Sequence, residues 1–144
     1  MLVSTKGRYA LRVMVDLAEH DDEGRIPLKN IAERQGISEK YLENILSTLV
    51  RNGLLSGMRG KGGGYRLTRS PEEFTVGEIL RLTEGSLSPV ACLDGAHKNC
   101  PHAEACRTIG MWTKLDEMIS GYLDGVSLAD LMVEPAACAT EEQK

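Results

Sequence analysis

The sequence predicts a mainly α fold: a winged helix-turn-helix domain with a two-stranded wing, and a long C-terminal helix suited to dimerisation. Three observations predict it. Leu28, Ile31 and Ala32, then Leu42, Ile45, Leu46 and Leu49, recur at the spacing that lines one face of a helix, and Gly36 and Ser38 separate the two sets by a tight turn. Leu54-Leu55-Ser56 and Tyr65-Arg66-Leu67 read as short strands on either side of Gly57-Met58-Arg59-Gly60-Lys61-Gly62-Gly63-Gly64. Ile109, Trp112, Leu115, Ile119 and Tyr122 form a further helical stripe, widened by Met111, Met118 and Leu123.

Taken in order, the chain first offers Ser4 or Thr5 as the cap of a helix running to about His20, with Tyr9, Ala10, Val13, Met14, Leu17 and Ala18 as its apolar face. His20 falls at the end of this helix, where a histidine complements the dipole. Asp21-Asp22-Glu23-Gly24 breaks the pattern, and Pro27 introduces the scaffold helix of the turn unit. Ser38 caps the recognition helix, which leaves Glu39, Lys40, Glu43, Asn44, Ser47, Thr48 and Arg51 outside. Gly53 closes it. After the wing, Ser70-Pro71 marks a turn, and Thr75 with Glu78 has the makings of a reciprocal capping box before a short helix through Ile79, Leu80 and Leu82. Leu87 to Ala105 lacks periodicity and contains Pro89, Gly95 and Pro101. The long helix follows, then a capped turn at Ser127-Leu128-Ala129-Asp130-Leu131. The expected division is 1–83 for the winged domain, 84–106 for a cysteine-containing sensor loop, 107–132 for the dimerisation helix and final turn, and 133–144 for a tail.

Charge locates the partner. The net charge of -4 argues against a nucleic-acid binder, but residues 1–70 hold twelve Lys/Arg against eight Asp/Glu, and residues 71–144 hold five against thirteen. The basic half contains the helix-turn-helix, as an electrostatic footprint on phosphates requires. The expected contacts are Ser38, Lys40, Tyr41, Glu43 and Asn44 on base edges of double-stranded DNA, with Asn44 suited to adenine and Glu43 to the cytosine amino group. Glu43 otherwise repels phosphates and is then only a solvent-facing helix residue. Arg59 suits a narrow minor groove, and Lys61 a phosphate. Such heads act in pairs on two-fold operators, so a homodimer through the long helix is expected.

Cys92, Cys100 and Cys106 fall in the aperiodic stretch, with seven and then five residues between them. Their neighbours are polar, which disfavours burial as small apolar side chains. Three thiolates on one loop suit a soft metal ion or an iron-sulfur cluster. The spacing lacks the paired CxxC of zinc ribbons, so zinc is the alternative. His97 and His102 are local candidates for a fourth ligand, and Cys138 lies in the tail. No stretch has the length of a signal peptide or membrane span, so a cytoplasmic protein with reduced thiols and no membrane partner is expected. No CxxC at a helix start and no paired nucleophile and base appear, which speaks against a thiol oxidoreductase or hydrolase. The wing lacks the GK[ST] ending of a nucleotide-binding loop.

These motifs resemble the winged-helix transcription regulators that include IscR, NsrR and CymR. The likeness runs through Ser4-Thr5-Lys6-Gly7-Arg8-Tyr9-Ala10, Ile31-Ala32-Glu33-Arg34-Gln35-Gly36-Ile37-Ser38, Tyr41-Leu42-Glu43, Arg59-Gly60 with Gly62-Gly63-Gly64-Tyr65, and the three cysteines ahead of the long helix. The resemblance implies a homodimer with crossed long helices, a two-fold operator, probable-class repression rather than catalysis, and Glu43 as a discriminator between operators. The IscR-like branch with three cysteines implies an iron-sulfur cluster on Cys92, Cys100 and Cys106 that tunes DNA binding, with 2Fe–2S favoured and 4Fe–4S as the alternative. Ile109 stands where IscR-type proteins place a histidine ligand, and Arg8 where NsrR-type proteins use a partner's acidic residue, so the fourth ligand stays open. The competing readings are a cluster-free regulator under CymR-like, zinc or thiol-redox control, and a small iron-sulfur electron carrier.

Overall fold

The computed structural model describes residues 3–94, 102 and 104–132. Its elements are α1 (Thr5–Glu19), α2 (Leu28–Gln35), α3 (Glu39–Arg51), β1 (Leu55–Met58), β2 (Gly64–Leu67), α4 (Val76–Glu84), α5 (Ile109–Asp124) and α6 (Leu128–Leu131), with short 3-10 turns at Asp21–Glu23, Pro71–Glu73 and Ala91–Leu93. This is the expected winged helix-turn-helix. Gly36 takes the left-handed conformation at φ 64, which closes α2 and turns the chain into α3. Ser38 caps α3 by accepting from the Tyr41 amide at 3.2 Å. Leu42, Ile45, Leu46 and Leu49 are all at 0 % exposure. Each such side chain stabilises the fold by about 1.5–3 kcal/mol relative to exposure. They face Ala10, Val13, Met14 and Leu17 of α1, Ile31 of α2 and Phe74 in one core.

The wing is an antiparallel pair with Leu55 opposite Leu67 and Met58 opposite Gly64. β1 therefore runs further towards the tip than Leu54-Leu55-Ser56, because β2 supplies partners as far as Met58; Leu54 is buried just before the strand. The wing root is tied to the body by Ile26, which exchanges two backbone hydrogen bonds of 2.9 Å with Tyr65.

Capping departs from expectation at one place. Thr75 accepts from the Glu78 amide, but the Glu78 carboxylate turns away to Arg69 at 2.7 Å, so the reciprocal half of that box is not made. The reciprocal boxes form instead at Ser70 with Glu73 and at Ser127 with Asp130. The same helix α4 carries two further ties: Arg81 grips Asp124 of α5 with two bonds, of 2.6 and 3.0 Å, and Glu84 accepts from the Ser4 amide and hydroxyl at the start of α1. A side chain at Gly77 would collide with Asp124. Leu128 of the final turn is fully buried in the main core, and the backbone beside it bridges Thr75 and Ser127.

No residue of α5 is buried. Met111, Met118 and Tyr122 are 56 %, 60 % and 72 % exposed, and Leu115 joins them on the apolar stripe. Among the described residues, α5 meets the rest of the chain chiefly at α4 and the turn near Cys92.

Candidate nucleic-acid interface and cysteine loop

The register of α3 sorts its outer residues into three rows. Lys40, Asn44, Ser47 and Arg51 fall opposite the core, at the spacing that stacks side chains along one line. Glu43 and Val50 lie towards the wing, where Val50 faces Gly57 of β1. Tyr41 and Thr48 lie towards α1: the Tyr41 ring stands edge-on to Tyr9 at 6.0 Å, and Thr48 Oγ1 accepts from Lys6 Nζ at 3.4 Å.

Of the residues expected to meet DNA, Ser38, Lys40, Glu43 and Asn44 are exposed on α3, and Arg59 and Lys61 are exposed on the wing tip. Tyr41 is half-buried against Tyr9. Ser38 also spends its hydroxyl oxygen on capping. The space between α3 and the wing is a groove of about 290 Å³ lined by Ser47, Val50, Arg51, Met58, Arg59 and Tyr65. Ser47 and Arg51 were outside the candidate set, although the helical spacing already put them on the outer face. The signal for including them is their place one and two turns beyond Asn44 on the same line.

Charge is unspent here. Among the described residues, Lys40, Arg51, Arg59, Lys61 and Arg66 have no carboxylate at ion-pairing distance, whereas Arg34, Arg69 and Arg81 are each paired. Cations left without partners on one convex element and its wing suit an external polyanion.

The cysteine loop begins at Gly85, which caps α4. Cys92 is exposed in its short turn and Cys106 is half-buried ahead of α5; both are free thiols. The Cys106 thiol is drawn below its ordinary pKa by hydrogen bonding from the Thr108 side chain, then the Thr108 and Ile109 amides, against a small opposing effect of burial. Unblocked sulfurs of this kind, one of them disposed to the thiolate, fit the donor chemistry of a soft metal or iron-sulfur centre. Among the described residues no three ligand side chains converge. Cys100, His97 and Cys138 lie outside the described residues, and His102 is exposed. Ile109 is the first residue of α5 and Arg8 bonds to Thr5, so neither offers a ligand.

The profile of the Rrf2 family, described as iron-dependent transcriptional regulators, matches residues 3–134. The chain belongs to the Rrf2 family. The HTH-type transcriptional regulator IscR of Aliivibrio salmonicida is 42 % identical over 134 residues, covering 93 % of this chain and 79 % of the relative. Among solved structures, CymR (YrzC), the global cysteine regulator of B. subtilis, superposes with a TM-score of 0.78 at 36 % identity, covering 94 % of this chain and 99 % of that one. T. potens IscR superposes with a TM-score of 0.72 at 41 % identity, covering 92 % and 86 %. This Rrf2 protein is a DNA-binding transcription regulator and not an enzyme. No helix among the described residues is long and apolar enough to cross a membrane.

Proposed function

We propose that this Rrf2 protein is a homodimeric repressor that reads a two-fold operator and adjusts its affinity through an iron-sulfur cluster on Cys92, Cys100 and Cys106. The observation that carries the DNA half is the run of unpaired cations and amide or hydroxyl side chains over α3 and the wing. Lys40, Glu43 and Asn44 face base edges, Ser38 and Tyr41 hold the start of α3, and Arg59 and Lys61 extend the contact through the wing. The groove with Ser47 and Arg51 continues that surface. The exposed stripe of α5 supports pairing with a second copy, which sets two heads on two half-sites.

The cysteines are supported by their chemistry and by the IscR relatives, which carry the branch implied by the sequence. When bound, a cluster supplies a cross-link of the loop that depends on iron supply and redox state. The chain's own part is to pass the loop's position on: Gly85 joins it to α4, and α4 is tied to α1, to α5 and to the exit of the wing. The type of cluster that fits is 2Fe–2S.

A second reading has support in the likeness to CymR: a cluster-free regulator answering to thiol chemistry, zinc or a partner. One experiment separates them. Anaerobic purification of wild type and Cys92→Ala, with a visible spectrum and assays of iron, sulfide and zinc, should give colour and matched iron and sulfide in wild type alone. Gel shifts of apo and holo protein should then differ on at least one operator. Colourless protein after attempted reconstitution supports the second reading, and absence of any sequence-selective DNA binding sinks both.

A further inference from the structure

We propose that the amino-terminal turns of α1 belong to the DNA interface, with the Lys6 ammonium taking a backbone phosphate on the flank of α3 opposite the wing. The inference rests on the DNA-binding reading above. A helix lying in a major groove about 12 Å wide has a phosphate strand on each side. The wing reaches one of them. On the other side of α3 the structure places α1.

The two helices run antiparallel along that flank. Tyr9 meets Tyr41 near the start of α3, and Lys6 meets Thr48 near its end. The Thr48 hydroxyl donates to the Asn44 carbonyl at 3.2 Å, which leaves its oxygen free to accept from Lys6. The ammonium is therefore held beside the outward row of the recognition helix. Of its three N–H donors one goes to Thr48, and none goes to a carboxylate among the described residues. The stem is half-buried, so the charge is fixed in place.

The surroundings agree. From Thr5 to Val15 the chain carries Lys6, Arg8 and Arg12 and no acidic residue. Arg12 is fixed as well: its guanidinium stands 5.0 Å from the centre of the Tyr9 ring and donates to the Gln35 carbonyl at 2.8 Å. A basic strip thus borders α3 where the second phosphate strand would pass, and its members sit where they gain nothing from pairing within the chain.

A phosphate contact is recognised by its salt dependence, because neutralising it releases condensed counterions whatever the base sequence. The test measures binding of full-length protein to an operator and to an unrelated duplex at several salt concentrations. Lys6→Gln should weaken both by the same factor and reduce the slope of log affinity against log salt by about 0.9 for each Lys6 on a phosphate. Lys6→Arg should restore the slope, and Thr48→Val, which removes the hydrogen bond but not the charge, should leave it at the wild-type value. Circular dichroism melts check that each variant folds. A wild-type slope in Lys6→Gln, or a loss confined to the operator, overturns the proposal. Wild-type protein that binds neither duplex overturns the DNA-binding reading instead.

Discussion

The Asp16 carboxylate, 3 % exposed, meets the Arg34 guanidinium at 2.6 Å across the seam between α1 and α2. Arg34 Nε adds a bond to the second oxygen at 3.0 Å and Gln35 Nε2 another at 2.8 Å. A buried charge thereby fixes the end of the scaffold helix, one residue before the turn that aims α3.

That pairing predicts acid sensitivity. Burial works to raise the Asp16 pKa, but hydrogen bonds from Arg34 and Gln35 and the charges of Arg34 and His20 outweigh it and hold the group below the ordinary carboxylate value. With the folded pKa depressed, the stabilisation is fully present above the unfolded value of about 3.9 and is lost as pH falls through the folded one. Thermal melts taken through that acid range should show a falling Tm. Asp16→Asn should cost about 1–3 kcal/mol at neutral pH and flatten the acid limb. Identical acid limbs in the two proteins would remove Asp16 from the account.

The wing predicts a specific loss. Arg59→Ala should weaken operator binding by ~1–3 kcal/mol, the range of single specific contacts. Titration at fixed salt decides it; unchanged affinity means that the wing does not touch the operator.

Gly64 predicts a backbone effect. Its φ of 142 is one that side chains rarely adopt, and a Cβ there would strike the Ile26 carbonyl, part of the pairing that anchors the wing root. Gly64→Ala should cost about 1–3 kcal/mol of stability and lower operator affinity as well. Wild-type melting and binding would show that the wing root is more pliant than its contacts imply.

The exposed face of α5 predicts association. Each large apolar side chain withdrawn from water contributes about 1.5–3 kcal/mol, and Met118→Glu places a charge on that face in both copies. Sedimentation should find wild type dimeric and the variant shifted towards monomer. A wild type that sediments as monomer at every concentration ends the pairing argument.

Much of this architecture was legible because helix and strand periods report which face is covered. The core of α3, the Ser38 cap and the Gly36 turn all follow from local spacing and backbone freedom. Asp16 was not legible, since its partners Arg34 and Gln35 belong to another helix and nothing in the α1 pattern separates a buried acid from an exposed one. The box at Thr75 misled for a related reason: Glu78 had a stronger partner in Arg69, nine residues away in sequence. In the candidate interface, the outer residues of α3 could be counted off, but the division of its flanks between wing and α1 needed tertiary packing. Cys92 and Cys106 were legible as thiols in a polar loop, while their relation to Cys100 falls outside the described residues.

Glu78, Arg81 and Glu84 leave α4 at three-residue steps, each bound to a different part of the chain. On the side facing the core, Ile79 and Leu80 are buried. Such a rod resists twisting about its own axis, because a twist must break all three attachments together and drag packed side chains past their neighbours. It yields more readily to a tilt, in which the attachments travel with it. Whatever pulls on the loop after Gly85 would then be felt at the wing and at the start of α1 as one lever stroke, with its direction set by the packing beneath α4.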